Sequence, residues 1–258
     1  MLLSLACSIV ALAAQVPECP DSPASETMAD AVSAYGNGEY AKAADLFETA
    51  ARLDTSCIMA WLYAGNSYLK QVVPGADTPE NRELAEKARE HFETVVSQQP
   101  ENEQARAAIA QIYFDQKKWD DAKAAYEKLV EINRYNKEAF CQLGVIAWIR
   151  SSEARLEARA KLGMKPEDPG PIKDTAVRQA LRDKYWPVID DGIQDLKHAI
   201  ETEAEYDAAM SYLNLLYREK ADLEDSAEEY MADIAQADDW RQQAADIRKD
   251  KDRRGRRN

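Results

Sequence analysis

Histidine and cysteine often act as nucleophiles, general bases or metal ligands, but in this sequence they are few and stand far apart. The two histidines are His91 and His198, and no His-x-x-x-His or Cys-x-x-Cys pair occurs, although zinc sites commonly use such spacings. The sequence also lacks a glycine-rich phosphate loop, a Gly-x-Ser-x-Gly motif and a kinase signature. We therefore predict no catalytic residues, no metal site, no cofactor and no enzymatic activity.

Carboxylate pairs can act as a general acid and base, but the pairs present here have the wrong spacing. Asp190–Asp191 and Asp238–Asp239 are adjacent in the sequence, and adjacent side chains diverge on a helix. We interpret both pairs as solvated surface residues.

The cysteines suggest a structural bond rather than chemistry. We expect the first two helices of the chain to form an antiparallel hairpin. Cys19 precedes the first of these helices, and we place Cys57 at the end of the second. Antiparallel helices bring these two ends together, so a Cys19–Cys57 disulfide is sterically reasonable in an exported protein and would stabilise it by roughly 3–4 kcal/mol. The alternative, two free thiols, stays open. Cys141 is interpreted as a small residue on a helix face.

Composition indicates that the elements holding these residues are helices. Hydrophobic residues make up 45% of the 258 residues, and glycine and proline are scarce, at nine and ten. A β-rich fold with many tight turns is therefore disfavoured. The net charge of −14 argues against nucleic-acid binding by the body of the protein.

The N-terminal segment resembles a secretory signal peptide. Residues 1–14 are apolar and end in Ala11-Leu12-Ala13-Ala14, although no Lys or Arg precedes the apolar run. The segment is too short to span a bilayer comfortably. We expect an exported protein, periplasmic or secreted, with no transmembrane segment in the mature chain. Two alternatives are an ordinary first helix and lipid attachment at Cys7.

One stretch in the first half of the chain has the pattern of a helical hairpin. It reads Trp61-x-x-Ala64-Gly65-x-x-Tyr68, then Ala88-x-x-x-Phe92, then Pro100. Small residues suit the place where two helices press together, aromatic residues fill the space around it, and proline ends the second helix. The stretch resembles the tetratricopeptide repeat, in which such hairpins stack because one hairpin cannot bury its apolar faces alone.

Copies of the pattern run through the chain. Small residues of the second helices recur with separations of 45, 34, 70 and 45, at Ala43, Ala88, Ala122, Gly192 and Ala237. A period of 34 with insertions explains this series. The resemblance implies an all-α fold, an α-solenoid of about five tetratricopeptide-like hairpins with an extended helical arm in the fourth.

The domain boundaries follow from this register. We expect a linker at 15–24, the solenoid at 25–247 with a long insertion at 150–187, and a basic, disordered tail at 248–258. That tail carries seven Arg or Lys against two Asp, a charge of about +5. A degenerate sixth repeat at 151–187 is the alternative to an arm.

The family resemblance implies a non-enzymatic scaffold or adaptor. In the tetratricopeptide family, first helices line a concave groove that binds an extended peptide or a partner's helix. The predicted groove residues are Tyr35, Leu62, Asn66, Leu69, Gln111, Phe114, Val145 and Trp148. Asn66 and Gln111 suit a peptide backbone, and Leu69, Phe114 and Trp148 offer apolar pockets. Alternatively, Phe114 and Trp148 pack under the insertions.

A second hypothesis is a self-assembling structural subunit of an envelope complex. In this homo-oligomer the acidic body of one copy would meet the basic tail of another. For either hypothesis we expect a protein or peptide partner and no nucleic acid. The partner's identity does not follow from the fold.

Overall fold

The computed structural model of the protein describes Cys19, residues 23–165 and residues 168–255. Within these residues it has ten α-helices and no β-strand. They are α1 (Ser25–Gly36), α2 (Tyr40–Leu53), α3 (Ile58–Leu69), α4 (Pro79–Gln98), α5 (Glu103–Asp115), α6 (Trp119–Ile132), α7 (Lys137–Lys161), α8 (Thr175–Thr202), α9 (Asp207–Ala221) and α10 (Ala227–Gly255). The predicted all-α class is confirmed. The chain divides into two compact units between Ile132 and Asn133.

The predicted signal peptide, including Cys7, lies outside the described residues, as does most of the predicted linker. Among the described helices, none combines the length and apolarity that crossing a membrane requires.

The N-terminal unit consists of three hairpins, α1–α2, α3–α4 and α5–α6, and each helix packs against the next along the chain. The helices of the second hairpin approach closely at Gly65, where an added Cβ would meet the Phe92 ring at 2.8 Å. Phe92 is fully buried, and burial of such a side chain stabilises a fold by about 2–3 kcal/mol. Gly65 is therefore required by the packing of the hairpin.

The predicted repeat register matches the packing of the second helices in both units. Ala43, Ala88, Ala122 and Ala237 are each 0% exposed, and Gly192 is also buried. Gly192 shows why such a position is small, because an added Cβ there would meet the Cβ of Ala147, on the first helix of the same hairpin, at 2.5 Å.

Caps and turns set the helix boundaries in the N-terminal unit. The Thr78 hydroxyl accepts a hydrogen bond from the Asn81 N–H at 3.2 Å, and Pro79 opens the first turn of α4. Gly38, between α1 and α2, has a φ of +77°, while Lys117, between α5 and α6, has a φ of +57°. Both angles lie in the left-handed region, which glycine adopts freely. A residue with a Cβ, such as Lys117, adopts it at a cost in free energy.

The C-terminal unit contains two hairpins, α7–α8 and α9–α10, and α9 packs against both α7 and α8. α7 runs unbroken for 25 residues and α8 for 28 residues, the latter continuing through Pro187. No turn interrupts α7 after Trp148, so residues 151–187 do not form a sixth repeat. The predicted five hairpins, with a long helical extension in the fourth, are confirmed.

The extension, residues 150–187, folds back against the turn between α9 and α10. In its connecting segment Met164 is 4% exposed and Ile172 is 0% exposed. The Ile172 N–H donates a hydrogen bond to the Asp222 carbonyl at 3.0 Å. Residues 222–224 of the α9–α10 turn are buried. The extension therefore covers a turn that would otherwise be exposed.

The prediction of a disordered basic tail is wrong for residues 248–255, which continue α10. Arg248 and Lys251 donate to the Asp207 carboxylate at 2.8 and 2.7 Å, and Arg254 donates to Glu205 at 2.5 Å. Asp207, at the start of α9, and Glu205, in the turn before it, thus pair with three basic residues of the tail and hold it against α9. Residues 256–258 lie outside the described part of the chain.

Candidate binding surface

Four of the predicted groove residues lie on the first helices of the second and third hairpins. Asn66 and Leu69 are on α3, and Gln111 and Phe114 are on α5, so each pair is three residues apart on one helix face. All four side chains are partly exposed. Successive helices alternate in direction, so α3 and α5 run parallel, and Leu69 and Phe114 both lie in a last helical turn. We call these four residues the first-helix surface.

The two amides of the first-helix surface differ in their hydrogen bonding. Gln111 Nε2 donates to Asp115 Oδ1 at 2.8 Å, and its Oε1 accepts a hydrogen bond from the Tyr126 hydroxyl at 3.0 Å. The Asn66 amide makes no side-chain hydrogen bond to any residue that the structure describes. A partly buried amide with unused donors and acceptor is suited to the backbone of an extended peptide. Asn66 is therefore the polar group of this surface that is ready for a ligand.

The two apolar residues of the first-helix surface pack against other side chains of the N-terminal unit. Phe114 packs edge-on against Trp119, with ring centroids 5.3 Å apart. Leu69 packs against the core between α3 and α4. Both side chains stay partly exposed. The surface thus offers two supported apolar side chains and an unpaired amide, and none of its four residues carries a charge.

The assignment of Leu62 and Val145 to the groove is wrong. Leu62 is 2% exposed and Val145 is 4% exposed. Leu62 belongs to the hydrophobic cluster between the first three hairpins, and Val145 lies in a continuous buried stretch of α7. Both positions face other helices, so neither side chain is accessible to a partner.

Tyr35 and Trp148 are partly exposed, but both are engaged within the chain. The Tyr35 ring lies 5.6 Å from Tyr63, and burial raises the pKa of its hydroxyl. The Trp148 ring lies 5.8 Å from Tyr212, and Trp148 also makes a side-chain hydrogen bond to Glu219. The structure places them in packing clusters, apart from the four residues of the first-helix surface.

Cys19 and Cys57 form a disulfide with a Cα–Cα distance of 5.9 Å. The helix boundary differs from the expected one. α2 ends at Leu53, and Cys57 is the N-cap of α3, because Asp54 Oδ1 accepts hydrogen bonds from Ser56 in a tight turn. The bond therefore ties the segment before α1 to the start of the second hairpin. Cys141 is fully buried.

The two histidines lie on α4 and α8 and act in packing. His91 lies between Trp61 and Tyr68, with ring centroids 5.6 Å from each. Glu48 accepts a hydrogen bond from the Tyr68 hydroxyl at 2.7 Å and lies 3.1 Å from His91 Nε2. Burial favours the neutral Glu48 carboxyl, but these hydrogen bonds outweigh it and lower its pKa. The group joins α2, α3 and α4.

His198 packs against Phe140, with ring centroids 4.5 Å apart. Among the described residues, no group of three or more His, Cys, Asp or Glu side chains is placed to hold a metal ion.

A buried ionic network in the C-terminal unit was not predicted from the sequence. Arg159, 1% exposed, donates to both carboxylate oxygens of Asp222 at 2.9 Å. Arg155 donates to Glu219 at 2.6 Å and to Asp222 at 2.8 Å. Burial raises the pKa of Glu219 to about 7, and the Arg155 charge opposes that rise. Two cations and two acidic groups thus meet where the extension contacts α9.

The network serves the fold and offers no ligand site. Arg159 also donates to the Lys165 carbonyl at 3.0 Å and the Asp168 carbonyl at 2.5 Å, both in the segment that connects α7 to α8. The adjoining cleft beside Arg155 and Glu219 has no room for a water molecule. A signal was present in the sequence, since Arg155 and Arg159 stand one turn apart on a predicted helix.

The stacked hairpins, with small residues at their close contacts, define the class of helical-repeat proteins. Residues 29–72 and residues 83–139 match family models described as tetratricopeptide repeat. These two segments of the chain are therefore tetratricopeptide repeats.

Solved structures share the fold, an α-solenoid of helical hairpins. The crystal structure of the MamA protein matches with a TM-score of 0.57 at 14% identity, covering 86% of this chain and 94% of that chain. YrrB, described as a TPR protein with an unusual peptide-binding site, matches with a TM-score of 0.52 at 16% identity, covering 86% and 90%. At these identities the likeness concerns the fold. Comparison with curated protein sequences finds no match.

Proposed function

We propose that the protein is a non-enzymatic scaffold that binds a peptide, or an extended segment of a partner protein, on the first-helix surface. The observation that carries the proposal is the Asn66 amide, which is partly buried on α3 and makes no side-chain hydrogen bond within the described structure. Desolvating an amide without a partner costs about 1–3 kcal/mol. The Asn66 amide is not among the described buried atoms that lack a partner, so the loss would arise only when a ligand covers it. A ligand backbone that pairs with the amide avoids that loss.

The composition of the surface supports a neutral, apolar ligand segment. Leu69 lies one turn after Asn66 and Phe114 one turn after Gln111. Both are already held by packing, so little side-chain freedom is lost on binding. Amides that fix the backbone and apolar side chains that bury surface are the usual elements of peptide recognition. YrrB, which shares the fold, is described as having a peptide-binding site.

We also propose that the protein is exported. The Cys19–Cys57 disulfide supports this, because such bonds persist in oxidising compartments and are rare in the cytosol. The apolar residues 1–14, with their small-residue ending, agree with it.

The self-assembly hypothesis has less support than the scaffold. Arg248, Lys251 and Arg254 are paired with Asp207 and Glu205 of the same chain. These charges are therefore committed to closing α10 onto α9, and fewer remain to meet the acidic body of another copy.

The proposed function is tested by in-cell cross-linking and pull-down with the wild type and an Asn66→Ala/Phe114→Ala variant. Far-UV circular dichroism checks that the variant is folded. Met231→Ala is the control, because Met231 is 61% exposed and lies on α10. We expect a partner that is captured by the wild type and the control and is lost with the folded double variant. Equal capture by all three proteins would refute the first-helix surface as the binding site.

A further inference from the structure

The loop between α3 and α4 is held in one conformation by a buried asparagine. Asn81 is 8% exposed. Its Oδ1 accepts a hydrogen bond from the Val73 N–H at 3.0 Å, and its Nδ2 donates to the carbonyls of Val73 and Ala76, each at 2.7 Å. Both backbone polar groups of Val73 are therefore fixed by a single side chain.

The same loop turns an apolar side chain towards solvent. Val73 is 60% exposed, although Val72 beside it packs against the core. Residues 72–76 contain no charged side chain, in a chain of which 31% is charged. An aliphatic side chain whose backbone is fixed and whose surface is open loses little entropy when it is covered.

The loop is continuous with the first-helix surface. Leu69 is the last residue of α3, so the loop leaves the helix directly beside it. Phe114 lies in the last turn of α5, which runs parallel to α3. Leu69, Val73 and Phe114 therefore lie towards the same edge of the N-terminal unit.

We propose that Val73 is a specificity-determining residue that receives an aliphatic or aromatic side chain of the bound peptide. The inference rests on the proposed function, since it extends the first-helix surface at its Leu69 end. The partner is an uncharged, extended segment, with one apolar side chain lying beyond the part of its backbone that pairs with Asn66.

The experiment uses the full chain as bait for a displayed library of random peptides. The dissociation constant of a selected peptide is then measured by fluorescence anisotropy. Val73→Ser should weaken binding about five- to tenfold, the loss expected for one apolar contact. Leu53→Ser is the matched control, because Leu53 is also an exposed aliphatic residue, at 51%, but lies at the end of α2. The control should bind within about twofold of the wild type.

A change of preference provides the second readout. A library selected on Val73→Lys should replace the apolar residue at one peptide position with Asp or Glu, since an exposed lysine attracts a carboxylate. An unchanged selection at every position would overturn the inference.

Two further outcomes separate the inference from the proposed function. If Asn66→Ala/Phe114→Ala weakens binding and Val73→Ser does not, the inference fails and the proposed function stands. If neither variant weakens binding, or if the wild type selects no peptide, both fail.

Discussion

Replacing Arg159 with alanine removes the central donor of the buried ionic network. The side chain is 1% exposed and donates to both Asp222 oxygens. It also donates to the Lys165 and Asp168 carbonyls. Asp222 keeps one bond from Arg155 at 2.8 Å, but the two carbonyls lose their arginine donor.

We expect Arg159→Ala to lower the free energy of unfolding by about 3–5 kcal/mol. Removing one partner of a buried ion pair typically costs that much, and the lost hydrogen bonds to the Lys165 and Asp168 carbonyls add to it. Arg159→Lys should recover only a part, because one ammonium group lacks the planar fork that reaches several acceptors.

Urea-induced unfolding followed by far-UV circular dichroism measures the change. Hydrogen exchange of peptides covering residues 162–174 should show lost protection in the same variant. Arg241→Ala is the control. Its side chain is 67% exposed and contacts Asp238 at 3.3 Å, so its removal should cost at most about 1 kcal/mol.

A loss below about 1 kcal/mol for Arg159→Ala, with residues 162–174 still protected, would refute this reasoning. It would mean that the extension is held by apolar packing alone and that the network contributes no net stability.

Three other predictions follow from the geometry. Reducing the disulfide, which spans 38 residues, should lower the free energy of unfolding by about 4 kcal/mol; an unchanged urea midpoint in reductant would contradict this. Gly144→Ala should lower the free energy of unfolding by about 1–3 kcal/mol in the same assay, because an added Cβ overlaps the Leu196 side chain. Gly36→Ala is the control and should be neutral or stabilising, because its Cβ meets nothing within 4 Å. Equal losses of unfolding free energy in the two variants would disprove the packing argument. Burial opposes ionisation of Asp207, but its lysine and arginine partners lower its pKa. Its contribution to stability is therefore present above the unfolded pKa of about 3.9 and lost as the pH falls through the lower folded value. Hydrogen-exchange protection factors of residues 248–255 should therefore hold down to about pH 5 and drop between about pH 4 and pH 2; constant protection over that range would exclude the linkage.

The hairpin register could be predicted from the sequence because close helix contacts tolerate only small residues. Gly65 packs against Phe92, and Gly144 packs against Leu196. The recurrence of Gly and Ala in the sequence therefore indicates where two helices come into close contact. Such local packing rules leave a readable period in the sequence.

The candidate site was predicted less well because, of two consecutive residues on a helix, one can be exposed and the other buried. Successive residues are rotated by about 100°, and the partly exposed Trp61 precedes Leu62, which is 2% exposed. The repeat register shows which residues occupy equivalent positions. It does not show how much of each helix face is covered by neighbouring helices. Leu62 and Val145 were misassigned for this reason.

The ionic network could not be predicted because its partners are distant in sequence. The spacing of Arg155 and Arg159 marks one side of the network, but their acidic partners cannot be identified from it: Arg159 and Asp222 are separated by 63 residues, and charged residues on a predicted helix usually indicate a solvated face. Only the folding back of the extension brings them together. The same limit applies to the basic tail, whose acidic partners lie 41 to 49 residues earlier in the sequence.

The covered α9–α10 turn has a consequence for the order of unfolding. In a repeat array each hairpin contacts only its neighbours, and the terminal one tends to fray first. Here the turn of the last hairpin is tied to the preceding hairpin by buried bonds that span 63 to 67 residues. These long-range contacts make loss of the last hairpin alone costly. The C-terminal unit is therefore expected to unfold as one cooperative block, and to complete its folding only after the α9–α10 turn has been synthesised.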